Sequence, residues 1–343
     1  MRPRTWLVSA LVTVVLVLNS CVDERGLIPL ILDHDGAPDD YIALLMLAGS
    51  RCCDLRGVTV SYGLGYRDSA VETSALLLDA MGLDVPVAGH DPALRGRNSF
   101  PETWRDSSFH LRTLPMLQGL DVRSDPHDAV ALLVDVLENA EQPVTVLATG
   151  PLTNISAVFD RRPDLLGKVQ RLVVMGGALR VPGNVRDPEE PEALATAEYN
   201  FFVDPVGADR VIAMAAQGLD ITIVPMDVTN ELPLNQAWLD RLKRNSSYGA
   251  RLATGILGAV EHLIQTGRYY LWDGAAVLAL WHPEGLRFEK KSLRVMTTGS
   301  EEGRIRTDDS RAASVKIATG ISEQAQPMDR ILDWVTNVPE RRN

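Results

Sequence analysis

The apolar run Leu30-Ile31-Leu32 passes into Asp33, His34, Asp35, Gly36, Ala37, Pro38, Asp39 and Asp40, and apolar residues return at Tyr41, Ile42, Leu44, Leu45 and Leu47. A short uninterrupted run predicts a buried strand, Gly36 and Pro38 supply turn geometry, and the later spacing predicts a helix lying on the sheet. The same rhythm continues along the chain. Gly57–Ser61, Val85–Gly89, Val144–Ala148, Arg171–Met175 and Ile221–Pro225 read as strands. Helices are predicted from about Ser69 to Met81, from an Asp125-Pro126 start through Ala129 to Leu137, and from Asp204-Pro205 onward. His90–Leu120 reads as an irregular loop over a site, carrying Trp104, Phe109 and His110. Leu234–Gly267 is mostly helical in pattern, and Asp273 stands at the start of an apolar helix reaching Leu280, where capping is the plain explanation. Lys291–Asp308 predicts a hairpin turning at Gly303, followed by a last helix near Met328–Val335. No linker, repeat or low-complexity break interrupts this order. The prediction is an α/β fold: a single large domain with a central, mostly parallel sheet flanked by helices.

The first twenty residues stand outside that pattern. Two arginines precede an apolar run from Trp6 to Leu18, too short for a comfortable membrane span, and Leu18-Asn19-Ser20-Cys21 resembles a bacterial lipoprotein cleavage site. Residues 1–20 are therefore expected to be a signal peptide of lipoprotein type. Cys21 is then the lipidated first residue, and residues 21–343 form an exported domain anchored in the membrane and facing the periplasm or cell exterior. Removing Arg2 and Arg4 with the leader moves the formal charge from −11 to −13, which argues against a nucleic-acid polymer as partner. Cys52 and Cys53 are adjacent and poorly placed to pair with each other, so no disulfide framework is expected.

Four carboxylates crowd the first strand end and helix start. A helix N-terminus favours Asp39 and Asp40 through its dipole, but Asp33 and Asp35 are left over, and like charges at this density call for protons or a hard, oxygen-preferring cation. The strands ending at Thr149-Gly150-Pro151-Leu152-Thr153-Asn154 and Met175-Gly176-Gly177 bring further turns to the sheet end where open α/β sheets collect ligands.

The ordered set Asp33, Asp35, Asp39 and Asp40 (DxDxxxDD), Thr149–Asn154, Met175-Gly176-Gly177, Gly183-Asn184, Glu198-Tyr199-Asn200, Asp204-Pro205 and Trp272-Asp273 resembles the inosine-uridine nucleoside hydrolase family over nearly the whole mature chain. The resemblance implies Ca²⁺ held by Asp35, Asp40, the Thr149 carbonyl and Asp273. It also implies a small-molecule nucleoside as substrate and a homodimer or homotetramer as the assembly. Asp39 would accept from a ribose hydroxyl, Asn184, Glu198 and Asn200 would hold the other hydroxyls, Met175 would offer an apolar contact, and Asp33 would support the site from behind. Calcium would lower the pKa of a bound water, Asp35 would take its proton, and the N-ribosidic bond would be hydrolysed through an oxocarbenium-like state.

Two departures from the family pattern stand out. An asparagine common after the second strand gives way to Gly63-Leu64-Gly65. The histidine that often precedes the last metal aspartate is Trp272, whose indole can stack on a base or pack but is no acid at neutral pH. His34, on the opposite side of the strand from Asp33 and Asp35, is expected to be structural. Two alternatives remain. One is a non-catalytic nucleoside- or polyol-binding lipoprotein, which Trp272 supports. The other is a haloacid-dehalogenase-type phosphatase, with Asp33 as the nucleophile of a DxDG start; it would need Mg²⁺ and leaves Thr149, Glu198, Asn200 and Asp273 without roles.

Overall fold

The computed structural model describes residues 26–90, 100–120, 128–185, 195–323 and 325–341. The proposed leader, Cys21 and the Asp125-Pro126 helix start lie outside these residues. The chain begins with β1 (Ile28–His34), α1 (Pro38–Ser50), β2 (Cys53–Val60), α2 (Arg67–Ala80), β3 (Val87–Gly89) and α3 (Glu102–Phe109). Next come α4 (Ala129–Asn139), β4 (Val144–Ala148), α5 (Thr153–Arg161), β5 (Val169–Met175), α6 (Tyr199–Val203), α7 (Pro205–Ala213), β6 (Ile221–Val224) and α8 (Met226–Thr229). The remainder is α9 (Gln236–Arg244), α10 (Tyr248–Gly258), α11 (Glu261–Gln265), α12 (Trp272–Trp281), β7 (Leu286–Lys291), β8 (Leu293–Val295), β9 (Ile305–Thr307), β10 (Val315–Ile321) and α13 (Pro327–Thr336).

Eight strands form one sheet in the order β3-β2-β1-β4-β5-β6-β10-β7. All neighbours are parallel except β10 and β7. The order runs outward from β1 to β3 on one side and from β4 to β6 on the other, so the direction of winding reverses between β1 and β4. At such a point the strand-to-helix turns diverge and leave a crevice at the C-terminal strand ends. Alternation along each strand divides the core between the two faces. Leu30 and Leu32 of β1, with Val173 and Met175 of β5, pack with α1, α2, α12 and α13, whereas Ile31, Leu172 and Val174 pack with α4, α5 and α7. Among the described residues no helix is long and apolar enough to cross a membrane.

Three expectations change. The stretch His90–Leu120 is not simply irregular, because it contains α3 and two short 3-10 turns, at His110–Thr113 and Pro115–Leu117. Only Arg105 and Ser108 of α3 are buried, so its apolar signal is weak and tertiary contacts hold it. The cap of α4 is Asp128, whose carboxylate accepts the Ala131 N–H at 2.8 Å. The β8–β9 hairpin forms as expected, but it sits beside two strands with no clear sequence signal, β7 with its charged edge-strand composition and β10 with Lys316 and Gly320 breaking the apolar pattern. Adjacent Cys52 and Cys53 do not pair with each other. Cys53 is free.

Candidate active site

The crevice between β1 and β4 gathers most of the residues singled out from the sequence. Pro38 occupies the first turn of α1, and the Asp40 carboxylate reaches back to accept the Ala37 N–H at 2.8 Å, so Asp39 and Asp40 are fixed at the helix N-terminus. The other Asp40 oxygen accepts the Thr149 hydroxyl at 2.6 Å, tying α1 to the end of β4. Asp273 arrives from the far end of the chain in the first turn of α12. It makes no capping hydrogen bond; its carboxyl hydrogen-bonds that of Asp39, while Asp35 hydrogen-bonds Asp40. Capping was the plain reading of Asp273, and the contact with Asp39 replaces it.

Burial sets the electrostatics. Asp33, Asp35, Asp39, Asp40 and Asp273 are each at most 5 % exposed. Burial, followed by the charges of Asp40 and Asp39, holds the Asp35 carboxyl well above the usual range; burial, then Asp39 and Asp40, does the same to Asp273. Asp39 is pushed up to about 7 by burial and by Asp40. The only basic group in ion-pair contact with the cluster among the described residues is His34, 3.9 Å from Asp40, and burial lowers its pKa. His34 Nδ1 accepts the Gly36 N–H at 3.0 Å. The Ser74 hydroxyl 3.0 Å from Nε2 already donates to the Ala70 carbonyl, so His34 is neutral and carries its proton on Nε2. It therefore braces the turn, with its ring edge-on to Tyr41.

Asp33 lies behind the cluster, fully buried, with one oxygen accepting from Thr59 at 2.6 Å and Asn154 at 2.7 Å. Burial raises it to about 7 against those two hydrogen bonds. A carboxylate so enclosed cannot reach a phosphoryl group, which removes the physical basis of the phosphatase reading. Asp35 is walled by glycine. Its Oδ2 accepts the Leu64 N–H at 2.9 Å and its carbonyl accepts the Gly65 N–H at 2.7 Å. A Cβ on Gly63 would overlap the Asp35 side chain, and one on Gly150 would stand 2.9 Å from Asp35 Cβ. The missing side chains at Gly63 and Gly150 thus give Asp35 its space.

Asn200 and Glu198 stand at the start of α6. Asn200 Nδ2 donates to the Thr149 carbonyl at 2.8 Å and lies 3.3 Å from the Met175 carbonyl and 3.4 Å from its sulfur. Glu198 caps α6, accepting N–H groups of Asn200 and Phe201 as well as Gly177. Burial raises its pKa. Asn184 is half-buried and joins this group through its carbonyl oxygen, which accepts the Tyr199 N–H at 3.0 Å. Trp272 is half-buried, edge-on to Tyr269 at 5.2 Å and tilted to Tyr270 at 5.5 Å.

Among the described residues, no three His, Cys, Asp or Glu side chains are arranged as a metal cage. The carboxyls meet in pairs, Asp39 with Asp273 and Asp35 with Asp40. The donors available, three carboxylates and the free lone pair of the Thr149 carbonyl, are all oxygen and suit a hard divalent ion. The residue set fits such an ion.

Several contributors carried no sequence signal as site residues. Tyr269 donates to Asp39 Oδ1 at 3.1 Å. Ser108 of α3 donates to the Gly36 carbonyl, and Arg105 stacks on Tyr66 with its guanidinium carbon 4.3 Å from the ring centre while reaching the Gly65 carbonyl at 3.4 Å.

Comparison with known proteins agrees with this architecture. Residues 30–326 match the family described as inosine-uridine preferring nucleoside hydrolase. The pyrimidine-specific ribonucleoside hydrolase RihA of Enterobacter sp. (strain 638) is 31 % identical over 252 residues, covering 71 % of this chain and 74 % of that protein. Uridine nucleosidase 1 of Arabidopsis thaliana is 29 % identical over 276 residues, 79 % of each. The crystal structure of an inosine-uridine preferring nucleoside hydrolase from Bacillus anthracis superposes with a TM-score of 0.80 at 26 % identity, covering 91 % of this chain and all of that one.

Proposed function

Because this chain belongs to the inosine-uridine preferring nucleoside hydrolase family, we propose that it hydrolyses the N-glycosidic bond of ribonucleosides at the carboxylate cluster between β1 and β4. The observation that carries the reading is the meeting of Asp39 and Asp273, from opposite ends of the chain, beside Asp35, Asp40 and Thr149 at the switch point of the sheet. Asp35 is the base: its glycine walls and the Leu64 N–H hold one carboxylate in one orientation, facing Asp40, where it takes a proton from the attacking water. Asp39 accepts from a sugar hydroxyl, with Asn184, Glu198 and Asn200 on the others and Met175 against the ring. The surrounding carboxylates favour the positive charge that grows on the sugar as the base leaves. A divalent cation on Asp35, Asp40, Asp273 and the Thr149 carbonyl would supply Lewis-acid polarisation of water and of sugar hydroxyls. Trp272 does not protonate the departing base; it walls the leaving-group side together with Tyr269 and Tyr270.

Finer assignments belong to the same reading. The all-oxygen donor set favours Ca²⁺, the relatives' names favour uridine as the first substrate to test, and the pattern of residues 1–21 favours export with a lipid on Cys21. The family resemblance favours a homodimer or homotetramer. The test is ribose release from uridine, cytidine, inosine and adenosine by the signal-free protein, with calcium and with chelator. Calcium-dependent release lost in Asp35→Ala is the expected result; binding of these nucleosides with no ribose released would refute hydrolysis.

A further inference from the structure

The contact at Asp39 that the family signature does not contain comes from Tyr269. Its hydroxyl donates to Asp39 Oδ1 at 3.1 Å, and the residue is 4 % exposed. The ring stands edge-on to Trp272. The backbone around it is pinned: the Leu234 N–H donates to the Tyr269 carbonyl at 2.9 Å, the Leu271 N–H donates to the Leu232 carbonyl at 3.2 Å, and Tyr270 bridges Pro233. A pinned backbone and a ring with two torsions leave the hydroxyl little freedom, so the direction of this hydrogen bond is set before any ligand arrives.

Asp39 is pulled two ways. Asp273 hydrogen-bonds it from α12, and Tyr269 hydrogen-bonds it from the preceding loop. A carboxylate rotates about its last torsion at little cost. A donor fixed on Oδ1 restrains that rotation. We propose that Tyr269 is the positioning residue for Asp39, orienting its carboxylate toward a sugar hydroxyl and thereby setting affinity for the ribose; this rests on the sugar-binding role of Asp39 proposed above. A hydroxyl held from the bound substrate through to the transition state contributes to both equally, so losing its orientation raises KM and leaves kcat nearly unchanged.

The experiment is a cycle of Tyr269→Phe, Asp39→Asn and the double variant. It is read in kcat and KM for uridine and in the dissociation constant of D-ribose, with thermal melts on all four proteins. Phenylalanine keeps the ring and its packing on Trp272. Tyr269→Phe is expected to raise KM and the ribose dissociation constant about tenfold at constant kcat, and to add less than twofold to the loss in Asp39→Asn. A merely structural role predicts a smaller active fraction instead, with kcat lowered, KM unchanged and the two losses multiplying in the double variant; that pattern overturns the proposal. If the wild-type protein releases no ribose, hydrolysis is refuted while the ribose affinities still decide on Tyr269. Absence of ribose binding by the wild-type protein overturns the positioning role as well.

Discussion

Replacing Gly63 with alanine is the sharpest test of Asp35, because the three atoms nearest the added methyl all belong to that residue. Built on the existing backbone, the new Cβ overlaps Asp35 Oδ2 and Cβ and stands 2.6 Å from Cγ, where ordinary contact begins at 3.4 Å. The Asp35 side chain must retreat by roughly 1 Å. Gly150 lies close on a second side, where a Cβ of its own would come within 2.9 Å of Asp35 Cβ, so the retreat carries the carboxylate off its present position. Gly63 is not among the glycines of positive φ, so alanine adopts its backbone without strain, and the cost falls on the position of the carboxylate. Misplacing a reacting group by about 1 Å costs on the order of 10²-fold in rate, whereas the overpacking costs about 1–3 kcal/mol in stability. Gly63→Ala should therefore lower kcat for ribose release about 100-fold while the protein remains folded with a cooperative melt. Ribose assays paired with melting curves check this. Activity within threefold of wild type in a folded variant would mean that Asp35 tolerates displacement and is not the base.

Further outcomes follow from burial and packing. Asp33 and Asp39 carry values of about 7 in the folded chain against an ordinary 3.8, so without a cation the folded state binds more protons than the unfolded state between those values. The cation-free protein should lose stability as pH rises from about 4 to 7. Asp35 and Asp273, residues that would hold the cation, are also held well above the usual carboxylate range by burial and by neighbouring acids, so a cation must displace protons from them, and the rise in Tm on adding calcium to chelated protein should be small at pH 5 and large at pH 8; a shift independent of pH would refute the linkage. Ile305 lies on Gly177, whose N–H donates to Glu198 at 2.8 Å. Ile305→Ala should cost about 2–4 kcal/mol in denaturant unfolding and raise KM; an unchanged KM would separate the hairpin from the site. Intact mass of protein isolated from membranes should show a thioether lipid on Cys21, lost in Cys21→Ala, and an unmodified residue would refute the anchor.

The parts of this molecule that were legible in its sequence are those where a local rule and the tertiary structure agree. Leu30–Asp40 reads as strand, turn and helix because apolar spacing, Gly36 and Pro38 act within eleven residues, and Asp204-Pro205 reads as a helix start because the Asp204 carboxylate does accept the Gly207 N–H, at 2.9 Å. Helix α3 was illegible for the opposite reason. Its residues are largely polar and exposed, and its place is fixed by Ser108 on the Gly36 carbonyl and Arg105 on the Gly65 carbonyl, partners some forty to seventy positions away. The same division runs through the site. Residue type announced the carboxylates, since five buried acids without a lysine or arginine partner among the described residues need protons or a cation. Nothing in Tyr269, Thr59 or Asn154 announces a partner, because a hydroxyl or amide is ordinary anywhere on a protein and acquires meaning only from the acid it faces. Gly63 shows the limit most clearly. Compared with a family pattern it looked like a lost asparagine contact, yet beside Asp35 it is a required absence of side chain, so a substitution that seems to weaken a site can instead be what makes room for its base.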